Sequence, residues 1–253
     1  MWYNVDGDFM QRYFVSEVVS TNNQITITGQ DAHHIKNVMR FRVGDEIIVC
    51  IPDQPCMQSV IQSFEPTGVL CKMIQPVQNN EMPVQVDLAQ ALIRRERFEY
   101  VLQKATELGV SNIIPIDMKY NLIKWDNNKS DNKLSRWNSI TKEASEQSHR
   151  NIPVAVTDVK RLTELTFDSY DIVIVADESE AGQATLKDVW LSTYTKILIV
   201  IGPEGGFHPD EIAYLSHHQN VKRVGLGKRI LRSETASSYL LSVISYVYEM
   251  GGL

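Results

Sequence analysis

The chain has 253 residues, 43% of them apolar, and 25 Lys and Arg against 31 Asp and Glu, a net charge of −6. This length fits one large domain or two ordinary ones, and the apolar share supplies a substantial core. No run approaches the roughly 18 apolar residues of a membrane span, and the acidic N-terminal segment lacks the basic and apolar regions of a secretory leader.

Residues 1–74 read as a strand-rich module. Gln24-Ile-Thr-Ile-Thr28 alternates apolar and polar side chains at the period of a half-buried strand. Val43-Gly-Asp45 signals a turn, the apolar run 46–51 follows it, and 59–64 and 68–74 give two further strands. A single short helix is expected from Asp31, a plausible N-cap, to about Arg40. Several short strands with one helix predict a small β-barrel. Cys50, Cys56 and Cys71 are odd in number and contain no CxxC pair. They are expected as reduced thiols of a cytosolic protein, packed as small apolar residues, and not as a zinc site or disulfide framework. Residues 75–83 carry two prolines and little that packs, so a linker is expected there.

From residue 84 to 253 the pattern turns to strand–helix alternation. Strands are expected at 84–91, 112–117, 153–158, 171–177, 196–201 and 221–226, and helices at 96–108, 130–149, 182–192, 209–218 and 233–249. Helix 96–108 gathers Phe98, Val101, Leu102, Ala105 and Leu108 on one face and stops at Gly109. The runs 171–177 and 196–201 are nearly all apolar, as strands covered on both faces of a parallel sheet should be. The expectation is an α/β domain behind an N-terminal β module.

Two Gly-bearing segments follow apolar strands near the C-terminus: Ile201-Gly-Pro-Glu-Gly-Gly-Phe207 and Leu226-Gly-Lys-Arg-Ile-Leu-Arg-Ser-Glu-Thr-Ala236. Such loops at the carboxyl ends of strands form the ligand crevice of an open α/β sheet, where glycines let a ligand approach the backbone. A generic Gly-Gly is also simply a tight strand-to-helix turn. GxGxxG is absent and Gly225-Leu-Gly-Lys-Arg lacks Walker spacing, which argues against dinucleotide or phosphate chemistry. Ser233 reads as an N-cap, and Ile230 and Leu231 as either core residues or a pocket for a flat heterocycle. Three basic clusters, Lys36/Arg40/Arg42, Arg94/Arg95/Arg97 and Lys222/Arg223/Lys228/Arg229/Arg232, keep a nucleic-acid partner open despite the acidic balance.

These two segments, with His33-His-Ile-Lys-Asn-Val-Met-Arg40, Gln103-Lys-Ala-Thr-Glu-Leu-Gly-Val110 and Glu143-Ala-Ser-Glu-Gln-Ser-His-Arg150, resemble the ribosomal small-subunit methyltransferase E family over nearly the whole chain. Arg94-Arg95 departs from that pattern, standing where a lysine-containing stretch is expected. The resemblance implies a trefoil-knotted SPOUT domain behind a PUA-like RNA-binding barrel, and a cytoplasmic homodimer. It further implies transfer of a methyl group from S-adenosylmethionine to N3 of one uridine of 16S rRNA, position 1498 in the usual rRNA numbering, on the small ribosomal subunit. Rival readings are a SPOUT enzyme for another rRNA or tRNA nucleotide, a non-catalytic RNA-binding assembly protein, and a nucleotide-binding enzyme of other chemistry.

Carried over by motif, the cofactor is expected at Ile201, Gly202, Glu204, Gly205, Leu226, Gly227, Ile230, Leu231, Arg232, Thr235 and Ala236, with Ala176-Asp-Glu178 bordering it. N3 must lose its proton, charge develops on the uracil carbonyls, and the base has to leave its stack. Arg232 is the candidate cation, and Glu204 and Glu234 are rival general bases or plain turn and helix-end carboxylates. No metal is required. RNA contacts are expected from Arg12, His34, Lys36, Arg40, Arg94, Arg95 and Arg150. Arg150, with Glu146 and Gln147, is also a candidate to complete the catalytic site, within one chain or across the dimer interface, and Trp2, Tyr3 and Tyr13 extend the RNA-facing edge. For His33 and His34, RNA contact competes with a role in capping or packing the barrel.

Overall fold

The computed structural model describes residues 10–15, 20–21, 23–126, 130–180, 184–189 and 194–251. The chain divides into two compact units, residues 1–81 with 145–153, and 82–144 with 154–253. Residues 145–153, expected in the second domain, thus belong to the first unit. The linker expectation for 75–83 also gives way. Gln75 and Pro76 lie in a strand, the amide of Val77 donates to Cys56 O at 2.9 Å, and Met82 is buried.

The first unit holds β1 (Arg12–Phe14), β2 (Ser20–Thr21), β3 (Gln24–Ile27), β4 (Glu46–Cys50), β5 (Met57–Glu65) and β6 (Gly68–Pro76). They form one sheet in the order β1-β4-β5-β6-β3-β2, parallel only between β1 and β4. No pairing joins β1 to β2 among the described residues, so the barrel expectation is met by a six-stranded sheet with two open ends. Period-2 alternation sorts its residues. Tyr13, Ile47 and Val49 enter one core with Ile25, Ile27 and Ile61, while Phe14, Ile48 and Cys50 enter another. The β5–β6 hairpin turns at Pro66-Thr67 and needs Gly68, because a Cβ there would stand 2.2 Å from Ile27 O.

Three expectations fail in this unit. Cys50 and Cys56 form a disulfide, with Cα atoms 4.2 Å apart across the turn after β4, whereas Cys71 is a buried thiol whose pKa burial pushes up to about 12. The helix is shorter and earlier, α1 (Gly29–His33), and runs into a π-helical turn at 34–38. Its N-cap position is Thr28, not Asp31.

The second unit contains β7 (Gln85–Ala91), α2 (Arg95–Glu107), β8 (Asn112–Asp117), α3 (Ser130–Gln147, whose last residues join the first unit), β9 (Ala155–Val156), β10 (Lys160–Arg161), β11 (Ile172–Ala176), α4 (Leu186–Val189), β12 (Lys196–Ile201), α5 (Pro209–Ser216), β13 (Val221–Val224) and α6 (Ser233–Met250). Every strand pair is parallel, in the order β10-β8-β7-β12-β11-β13 with β9 also on β8. The helix expected at 182–192 is represented by α4 alone, residues 181–183 and 190–193 lying outside the described set.

The apolar runs are explained by cores on both faces. Ile197, Ile199 and Ile201 of β12 pack with α2 and α6, while Leu198 and Val200 pack with Phe167 and Leu215 on the other side. Helix α2 ends where Gly109 adopts φ +90°, and a Cβ there would meet Met82 Cε at 2.6 Å.

Candidate functional site

In the second unit, the chain runs outward from β7 through β8 to β10 on one side of the sheet, then crosses to β11, returns to β12 between β7 and β11, and ends at β13 outside β11. The reversal lies between β7 and β12, and a crevice opens at the carboxyl ends of the strands next to it. The turns after β11, β12 and β13 enclose a cavity of about 250 Å³ there.

Each turn is held by its own residues. After β12 the amide of Gly206 donates to Pro203 O at 3.0 Å and Gly206 takes φ +72°, the left-handed conformation that a Gly-Gly permits. Gly205 serves a different need, since a Cβ there would lie 3.1 Å from Tyr120 Cβ. Gly202 lies under the Phe207 ring, which its own Cβ would meet at 3.0 Å. The turn then enters α5 through a capping box: Asp210 N donates to His208 Nδ1 at 3.1 Å and His208 N to Glu211 Oε2 at 2.8 Å, with Pro209 at the first helical position. After β11, Arg223 of β13 holds Asp177 Oδ2 at 2.8 Å and Glu180 Oε1 at 2.9 Å. After β13, Gly227 takes φ +111° with open space where a side chain would stand.

A buried polar cluster locks β7, the β12 turn and α6 together. Gln90 Nε2 donates to Ser233 Oγ at 2.8 Å, Ser233 Oγ to Gly202 O at 2.7 Å, and Ser237 Oγ to Gln90 Oε1 at 2.5 Å. All three residues are buried. Ser233 is therefore not the N-cap, which is Arg232 without a side-chain cap bond; its hydroxyl is spent on the Gly202 carbonyl instead. Gln90 carried no distinguishing signal in the sequence, since β7 also contains the polar residues Gln85 and Asp87.

Of the expected cofactor residues, Ile201, Gly202, Glu204, Leu226, Gly227, Ile230, Leu231, Arg232 and Ala236 line the cavity. Gly205 and Thr235 do not: Gly205 packs on Tyr120, and Thr235 is on the exposed face of α6. Ala176, Asp177 and Glu178 do line it, joined by Phe207, Lys228 and Ser233. Ile230 is 81% exposed at the mouth, and Arg232 makes no ion pair among the described residues.

The rival carboxylates are linked. Arg97 of α2 holds Glu204 Oε1 at 3.2 Å and Glu234 Oε1 at 3.5 Å. Only Glu204 lines the cavity; Glu234 leaves its Oε2 buried without a hydrogen bond. Arg97 was counted in a basic cluster but not assigned to the site.

The expected RNA contacts divide by exposure. Lys36, Arg40 and Arg94 are exposed, and Arg95 is exposed but bonded to Glu99 Oε1 at 2.8 Å. His34 is half-buried, its Nδ1 3.0 Å from the Tyr13 hydroxyl, while His33 is exposed. Arg12 and Arg150 are not exposed, unlike the other expected arginines. Both are buried in the first unit, where Arg12 donates to the Arg150 carbonyl and the Arg150 guanidinium grips Glu81. Burial lowers the Arg12 pKa to about 10 despite the pull of Glu81. Trp2 and Tyr3 lie outside the described residues. No group of three His, Cys, Asp or Glu among the described residues is placed to hold a metal, and no described helix is long and apolar enough to cross a membrane.

Comparison with known proteins matches residues 80–245 to the RNA methyltransferase domain family and 27–54 to the RNA methyltransferase PUA domain family. The ribosomal RNA small subunit methyltransferase E of Bacillus subtilis is 38% identical, over 95% of this chain and 98% of its own. That of Mesomycoplasma hyopneumoniae is 31% identical, over 92% and 98%. A Legionella pneumophila putative methyltransferase solved with bound S-adenosylmethionine superposes with a TM-score of 0.81 at 26% identity, covering 95% of this chain and 98% of that one.

Proposed function

This chain belongs to the ribosomal RNA small subunit methyltransferase E family, and from that premise we propose that it methylates N3 of a specific uridine of 16S rRNA on the small ribosomal subunit. It is an S-adenosylmethionine-dependent RNA methyltransferase. The observation that carries the reading is the cavity at the ends of β11, β12 and β13, where motif residues of both Gly-bearing segments converge.

The residues there fit the cofactor. Ile201, Leu226 and Leu231 offer apolar walls for an adenine, and open backbone at Gly227 leaves room for close approach. Asp177 is fixed by Arg223, which leaves Glu178 as the exposed carboxylate for hydroxyl or ammonium groups. When bound, S-adenosylmethionine supplies an electrophilic methyl group on its sulfonium. The chain has to orient the uracil, accept the N3 proton and face the charge that develops on the carbonyls. Glu204 is assigned the acceptor role because it, unlike Glu234, lines the cavity. Arg97, 3.2 Å from its Oε1, keeps it aimed. Arg232, at the mouth and without an ion pair among the described residues, is assigned the cation.

The knot and the dimer belong to the same proposal. The knot is supported by the path of the C-terminal segment: β13 pairs outside β11, the amide of Gly225 donates to Ala184 O at 2.9 Å, and α6 then returns to pack on α2 and β12. A homodimer is supported by Tyr239, Tyr246 and Met250, exposed along one side of α6. Its place is the cytoplasm, with the small subunit.

Mass spectrometry of 16S rRNA from a deletion strain tests the assignment. Loss of one N3-methyluridine, restored by the gene, is expected; an unchanged modification profile rejects it. Stabilisation of the protein by S-adenosylhomocysteine, but not by NAD or ATP, tests the cofactor separately.

A further inference from the structure

A second cavity of about 390 Å³ opens in the same unit, on the other side of the first turn of α2. Its walls are Leu92, Ile93, Phe98, Ile123, Trp125 and Trp137, and none of these residues lines the first cavity. The rings are ordered among themselves. Trp125 and Trp137 stack at 5.6 Å with planes 29° apart, and Phe98 lies 4.6 Å from Trp137. Lys133 Nζ stands 4.7 Å over the Trp125 ring.

The rim is cationic. Arg95 and Arg136 share the single carboxylate of Glu99, at 2.8 and 2.7 Å, so that Arg95, Arg136 and Lys133 together leave an excess of positive charge. Arg94, beside them, is exposed and forms no ion pair among the described residues. Arg94 and Arg95 at the start of α2 also oppose the helix dipole, which favours anions at that end, against the one carboxylate of the first turn, Glu96. An anionic backbone lying along this turn would relieve that repulsion, and flat rings below it suit a base.

The geometry points to this cavity as a nucleobase subsite, which takes an unstacked base of the RNA next to the target while the cationic rim holds its phosphates. The inference rests on the RNA methyltransferase reading and adds to it a second base pocket. Helix α2 links the two cavities: Arg97 reaches Glu204 at the first, and Phe98 and Glu99 border the second. One extruded strand can therefore fill both across a single helical turn.

The test is binding of fluorescently labelled oligouridine to the S-adenosylhomocysteine-bound protein, followed by anisotropy and by tryptophan quenching. Trp125→Ala should weaken binding roughly 5- to 150-fold, the range for loss of one base–aromatic stack, without changing S-adenosylhomocysteine affinity. Lys133→Glu leaves the aromatic wall in place and should also weaken RNA, which keeps the test intact if Trp125→Ala does not fold. Wild-type RNA affinity in Lys133→Glu and in a folded Trp125→Ala overturns the subsite, as does unchanged RNA affinity together with loss of dimer mass, which would assign the cavity to a second copy of the chain. Methyl transfer by the wild type to unmodified small subunits is measured in parallel; its absence refutes the enzymatic reading and leaves the binding result to decide the subsite.

Discussion

The cavity decides between two carboxylates that look equivalent in the sequence. Glu204 and Glu234 both lie within Gly-bearing motifs and Arg97 holds both, yet only Glu204 lines the cavity. Arg232 is the opposite case, a cation lining the same cavity that forms no ion pair among the described residues. Arg232→Ala should lose methyl transfer by roughly 100-fold or more, as expected for removing a donor to developing charge. Its S-adenosylhomocysteine affinity, measured by calorimetry, should stay near wild type; full activity would remove Arg232 from the mechanism. Gln90 is buried beneath both motifs and bonds to Ser233 and Ser237. Gln90→Ala should cost about 2–3 kcal/mol in urea denaturation, from lost hydrogen bonds and a residual cavity. Because Ser233 also holds the Gly202 carbonyl, cofactor affinity should fall with it. The motif glycines and apolar residues were legible because their local roles are local. Gln90 and Arg97 were not, because their partners are 107 or more residues away.

At the scale of elements, the long apolar strands and amphipathic helices of the second unit were found within a few residues. Periodicity and capping are short-range signals, and a strand covered on both faces announces itself as an unbroken apolar run. The errors came where tertiary contacts override local preference. Asp31 and Ser233 both look like N-caps, but the helices start at Gly29 and after Arg232. The start of α5 shows a cap that does form. Glu211, 8% exposed, accepts from His208 N at 2.8 Å and from Lys119 N at 2.9 Å, tying the helix to the loop after β8. Glu211→Ala should destabilise the unit by about 1–2 kcal/mol, the loss of a cap plus an orphaned buried amide, read as a lower denaturant midpoint. A midpoint equal to wild type would mean that water replaces both bonds.

At the scale of the molecule, residues 145–153 are tied to the first unit by several bonds, among them one ion pair between distant segments. Glu81 accepts from the Arg150 guanidinium and from the amides of Asn151 and Ile152, at 2.7 and 3.0 Å. Burial works against the charged carboxylate, but Arg150 and the two amides outweigh it and hold its pKa below the usual range. A depressed carboxyl pKa contributes stability that is present above the unfolded value, about 4.3, and is lost as pH falls through the folded value. Melting temperature should therefore fall on acidification below about pH 4.5. Glu81→Gln should melt lower than wild type at pH 7, with the gap closing at low pH; a gap independent of pH would show that the charge is not what stabilises. A homodimer built on α6 makes a further demand. Tyr246→Asp would set two carboxylates near a two-fold axis and should shift the sedimentation mass toward the monomer; an unchanged mass places the interface elsewhere. The sequence by itself determined the α/β class, the β module ahead of it, the two ligand-facing segments and the family, because these depend on residue types at short, fixed spacings. Only the tertiary structure decided that Arg12 and Arg150 are buried, that 145–153 joins the first unit, that Cys50 and Cys56 are bonded, and that Arg97 and Gln90 organise the site. The physical reason is that burial, pairing and charge compensation are set by which residues meet across the fold, and separation along the chain carries no record of that.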